Sequence, residues 1–135
     1  MSNSQSVGVA YSDPEFTTCY ATQEIGYSAA AQGAVTQATS KSTGVTLNKS
    51  NGQITMNNAA LAAGASVSFV LTNSLISSRD VIIVNVAGGA TTVGTYTSYV
   101  STMGTGTASI SLYNISAGSL SEAVVLNYAI IHGAS

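Results

Sequence analysis

The chain has 135 residues, 45% of them hydrophobic and only 6% charged, with a formal net charge of −2. That length fits one domain around one core, and that hydrophobic content argues against disorder. Three basic residues cannot match a run of phosphates or an anionic lipid surface, so neither nucleic acid nor a membrane is an expected partner.

Charge is scarce against the roughly 25% of an ordinary soluble domain. The surface must therefore be built from Ser, Thr, Asn, Gln, Gly and Ala, groups that lose little hydration when another surface covers them. An oligomer or an assembly component is expected. The opening MSNSQSVGVAYSDPEF lacks the basic start and apolar core of a signal peptide. No apolar run approaches the roughly 20 residues of a membrane helix. The expectation is a chain made in a cytoplasm and soluble until assembled. Cys19, the one cysteine, excludes an internal disulfide and is read as a reduced, partly buried thiol, with a link between subunits as the alternative.

Residues 1–33 hold Asp13, Glu15 and Glu24, the only proline, Cys19 and the tyrosines 11, 20 and 27, without a clean period. They read as an extended arm with one short strand in YATQEIGYS; the other reading makes them the first strands of the body. From residue 34 short strands alternate with turns. VTQAT and GVTL come first, and Asn51-Gly52 then predicts a type I′ hairpin into 52–56. NNAALAAG predicts one helical turn ended by Gly64. Residues 67–71 alternate as a half-buried strand, and Asn73 or Ser74 is placed to cap a turn. VIIVNV predicts a central strand covered on both sides, or one face turned to a neighbour. The next strand sets Tyr96 and Val100 opposite Tyr99. TASISLYNI points Ala108, Ile110 and Leu112 inward, and the last strand places Val124, Leu126, Tyr128 and Ile130 on one face. The sum is an all-β chain: a single antiparallel, jelly-roll-like β-sandwich of about eight strands.

Chemistry is sparse. One histidine, His132, and one cysteine do not make a metal site, and no GxSxG elbow is present. Five acids without a tryptophan-lined cleft give little basis for glycoside hydrolysis. No cofactor and no catalytic activity are expected; a polysaccharide hydrolase would have to use His132. Adjacent Arg79 and Asp80 read either as a turn-capping pair or, for Arg79, as an interface charge. Tyr96, Tyr99, Tyr113 and Tyr128 occupy positions tyrosine favours in strands, or could stack on sugar rings. The NKS and NIS sequons at 48–50 and 114–116 read as accidental.

Three stretches, SKSTGVTLNKSNGQITMN, SVSFVLTNS and ISAGSLSEAVVLNYAII, resemble a family of small structural proteins of tailed bacteriophages. The likeness covers the β domain and not residues 1–33. It implies a β-sandwich and a place in the virion, either as a free-standing protein or as a module of a tail-fibre-like protein, and it carries no catalytic motif. With the charge-poor surface and the arm, it leads to the expectation of a homotrimeric capsid decoration (cement) protein on the outer surface of the head, bridging major capsid protein subunits. Val81, Ile83 and Tyr128 would form the contact between subunits, with Arg79 beside them. Tyr11, Phe16 and Tyr20 of the arm would reach the shell or a neighbour. The alternative is a receptor-binding module of a tail fibre that recognises host glycan.

Overall fold

A computed structural model describes residues 15–133. A three-residue 3₁₀ turn, Ala29–Ala31, leads into β1 (Gln32–Thr36), β2 (Val45–Thr46), β3 (Asn51–Thr55) and β4 (Ser66–Thr72). These are followed by β5 (Val81–Gly88), β6 (Tyr96–Gly104), β7 (Thr107–Asn114) and β8 (Val125–Ile131). The strands form two four-stranded sheets, in the orders β1-β3-β8-β5 and β2-β4-β7-β6, closed over one apolar core. The expected eight-strand β-sandwich is what the chain forms.

Period-two patterning decides which residues fill that core. Phe69 and Leu71 from β4, Ala108, Ile110 and Leu112 from β7, and Leu126, Tyr128 and Ile130 from β8 are all buried. Tyr96 points inward from β6 while Tyr99 stays 47% exposed on the other face. Burial also lifts the phenols of Tyr96 and Tyr128 to about 12, since a charged phenolate is poorly solvated there.

The path of the chain differs from a meander. Strands β1 to β6 alternate between the two sheets, and only β6 and β7 make a hairpin, across Thr105-Gly106 with Gly106 at φ +74°. The remaining ladders are antiparallel except at the N-terminal edges, where β1 pairs parallel with β3 and β2 parallel with β4.

Local expectations fail where packing overrules turn chemistry. Asn51-Gly52 is not a hairpin: both residues lie inside β3, which pairs with β1 and β8 rather than β2. Gly52 is needed for space. A Cβ there would stand 2.6 Å from both Leu47 Cδ2 and Tyr128 Cε1. NNAALAAG makes no helical turn, because Leu61 bridges to Leu120 instead. Residues 20–28 form no strand. VIIVNV is an edge strand, β5, with Ile82, Val84 and Val86 turned inward and Val81 and Ile83 outward.

Two substitutions test this core. Gly52→Ala overpacks the Leu47–Tyr128 contact and is expected to destabilise by about 1–3 kcal/mol. Tyr128→Phe removes a buried hydroxyl bonded to the Lys49 carbonyl at 2.9 Å and to the Asn73 amide at 3.3 Å. The expected loss is about 1–3 kcal/mol. Both are read from urea unfolding midpoints at constant m-value.

Candidate functional site

The outer face of the first sheet is assembled by strand register. Val81 opposes Ile131 and Ile83 opposes Ala129, so β5 and β8 pool their outward aliphatics at one end of the sheet. Val81, Ile83 and Ile131 remain 58%, 54% and 55% exposed. The next row is amide: Asn85 and Gln53 flank Asn127, with a Gln53–Asn127 hydrogen bond of 3.0 Å. No charged residue belongs to the outward rows of these strands.

The arm borders this face. Tyr27 donates its hydroxyl to the Ile130 carbonyl, and Lys49 Nζ donates to the Ala30 carbonyl at 2.9 Å, which anchors the arm's root. Ile25, Gly26 and Tyr27 then form one wall of a groove of about 500 Å³, whose other lining includes Ile83, Ala129, Ile131 and His132. Before that root, residues 15–24 are all exposed.

A polar clamp closes the same end of the sheet. Asp80 accepts from the Ser77 N–H at 2.8 Å, the Ser77 hydroxyl at 2.9 Å and the Gly133 N–H at 2.9 Å. His132 Nδ1 lies 3.1 Å from its second oxygen. The Ser77 N–H contributes most to holding the carboxyl down to about 2, with the Ser77 hydroxyl, Gly133 and His132 adding to it and burial opposing it. Gly133 passes so near the turn that a Cβ would stand 2.6 Å from the Arg79 carbonyl. The clamp thus joins the start of β5 to the end of β8. It is not a nucleophilic triad: the Ser77 hydroxyl is bonded to the acid, so the imidazole does not activate it. Among the described residues no three His, Cys, Asp or Glu side chains converge to hold a metal ion.

The structure sorts the sequence candidates. Val81, Ile83 and Arg79 lie exposed at one end of the first sheet, and Phe16 and Tyr20 are exposed on the arm. Tyr11 lies outside the described residues. Tyr128 is a correction: it is 1% exposed, part of the intramolecular core, and touches no outer surface. Asp80 is bonded to Ser77, His132 and Gly133, and no ion pair joins it to Arg79. Cys19 is exposed, not partly buried. Of the tyrosines weighed for sugar stacking, Tyr96 is buried with Tyr128, Tyr113 is half-buried, and Tyr99 is open. Asn114 of the NIS sequon is fully buried, its amide donating to the Leu61, Ala62 and Gly118 carbonyls. Ile131 and Ile25 were missed as surface aliphatics; the outward parity of Ile131 opposite Ile130 was the available signal.

No protein-family model, curated protein or solved structure matches the chain.

The clamp has a pH signature. A carboxyl depressed from 3.8 to about 2 contributes stability that is complete above its ordinary value and disappears as the pH falls through the lower one. Urea unfolding at pH about 5 and about 2 should therefore show a smaller acid loss in Asp80→Asn than in the natural chain. At pH about 5 the variant should be the less stable of the two.

Proposed function

We propose that the chain is a structural protein of a tailed-bacteriophage virion, a homotrimeric decoration protein that binds the outside of the head and bridges major capsid protein subunits. The observation that carries this reading is the outer face of the first sheet. Three branched aliphatics more than half exposed, on a surface without ions, are characteristic of a face that a partner covers. The likeness of three stretches of the β domain to small phage structural proteins supports the same reading. So does the arm, which exposes Phe16 and Tyr20 where they can reach a neighbour.

Such a protein works by mass action. It binds the assembled shell and not the dissociated subunits, so occupancy shifts the equilibrium toward the shell, by about 2.7 kcal/mol per site at a free concentration 100 times the dissociation constant. No reacting group is needed.

A tail-fibre module that binds host glycan is the second reading. It is favoured by Tyr99, which lies open on the outer face of the second sheet in one cross-strand row with the exposed Ser68. An aromatic plane beside hydroxyls can stack on and hydrogen-bond to a sugar.

Phage heads that lack this protein are expected to lose resistance to heat and osmotic shock, and to regain it when the purified protein is added back. Unchanged resistance overturns the decoration reading. Quantification of the protein in virions separates the two: hundreds of copies place it on the head, a few to some tens on the tail.

A further inference from the structure

We propose that the arm is exchanged between copies: residues 15–27 of one chain dock on the outer face of the first sheet of a second, laying Phe16 and Tyr20 over Val81, Ile83 and Ile131.

The arm has apolar content and no core of its own. Phe16, Tyr20 and Ile25 are 64%, 91% and 88% exposed, although the body presents an aliphatic face at the arm's own root. Among the described residues the arm is fastened only at its root, through Tyr27 and the Ala30 carbonyl. Ile25 to Tyr27 build one wall of the groove, while residues 15–24 leave its floor uncovered. Residues 15–27 of the same chain therefore shape the site without filling it.

Charge complementarity names the occupant. No lysine or arginine precedes Lys41, so the arm carries only the negative charges of Asp13, Glu15 and Glu24. The body holds all three cations against two carboxylates, Asp80 and Glu122, and both of these are engaged. Arg79, exposed two residues before Val81, makes no ion pair among the described residues. Arm repels arm, body repels body weakly, and arm attracts body. A chain with this division of charge is complementary to its own copies, and each copy supplies one arm and one face, which permits a closed oligomer. Reach is sufficient. The seven residues from Tyr20 to the anchored Tyr27 extend about 23 Å at roughly 3.3 Å each, more than the roughly 10 Å between packed sheets.

The inference shares with the proposed function only the self-association of the chain. It is tested on the purified protein without any phage particle, so either can fail while the other stands. Sedimentation equilibrium of the full chain is expected to show a concentration-dependent oligomer. Phe16→Ser with Tyr20→Ser (arm variant) and Ile83→Asp (face variant) should each weaken it at least tenfold. At dilutions where the natural chain is dissociated their melting temperatures should match its own, since all three side chains are exposed, and at higher concentration only the natural chain should gain the stability that association adds. An equimolar mixture of the two variants should associate again, because intact faces then meet intact arms. Arg79→Glu should also weaken association, and adding Glu15→Lys and Glu24→Lys to it should restore it. A monomer at every concentration overturns the proposal. So does an oligomer indifferent to both variants, or a mixture that stays monomeric. A melting temperature that falls in the arm variant while the natural chain is monomeric would place the arm on its own body, which overturns it as well.

Discussion

One phenol ring ties together the parts from which the outer face is built. Tyr128 stands in β8, the strand shared by β3 and β5, with its ring against Gly52 and its hydroxyl directed out of the first sheet. That hydroxyl donates to the Lys49 carbonyl at 2.9 Å and receives the Asn73 amide at 3.3 Å, while Asn73 itself donates to the Lys49 carbonyl at 2.7 Å. The connection between β2 and β3 and the turn after β4 are therefore fixed to the middle of the opposite sheet. The turn after β4 leads through Ser77 to Asp80, which accepts from Ser77 and from the Gly133 N–H and so holds the end of β8 beside the start of β5. Val81 and Ile131 face each other at the end of the β5–β8 ladder that this clamp pins.

The same use of amides explains how a body with so few ions satisfies its interior. Gln37, buried, donates to the Lys41 and Thr43 carbonyls and accepts from the Asn57 N–H. Asn114, buried in β7, closes the loops at 61–62 and 116–118. Lys41 is the exception among cations: its ammonium is buried and donates to the Asn57 and Glu122 carbonyls, and burial lowers its pKa while Glu122 acts in the other direction. A buried amide donates and accepts at once and brings no charge to desolvate. Amides thus satisfy much of the interior, while Arg79 stays exposed beside the first sheet and Lys49 holds the root of the arm.

The legible part of the molecule is what alternation encodes. β4, β7 and β8 carry their inward residues at every second position, and the outward parity of Val81 and Ile83 follows from the same rule. Parity also places Tyr128 inward with Leu126 and Ile130, and that rule, not the fondness of tyrosine for interfaces, decides its position. Topology was not legible. A glycine that permits a turn and a glycine that makes room for a ring are the same letter, so Asn51-Gly52 could not be told from a hairpin without knowing that Leu47 and Tyr128 converge on it. The Asp80–His132 clamp joins residues 52 apart, a separation that no local pattern encodes, whereas Arg79 next to Asp80 in sequence invited a pairing that the turn does not make.

The way the sheets end constrains how any assembly can form. β5 and β6, the long edge strands, each shift register once, at Ala87 and at Ser101, and β2, the N-terminal edge of the second sheet, is two residues long. A bulge or a short edge interrupts the row of free N–H and C=O groups that another strand would need. Charge, the usual guard, is missing from these edges, so backbone irregularity has to do its work. Pairing of further strands on β5, β6 or β2 is thereby disfavoured, while the outer face of the first sheet keeps its aliphatics exposed. The association proposed above would then run through that face and the arm rather than through strand edges.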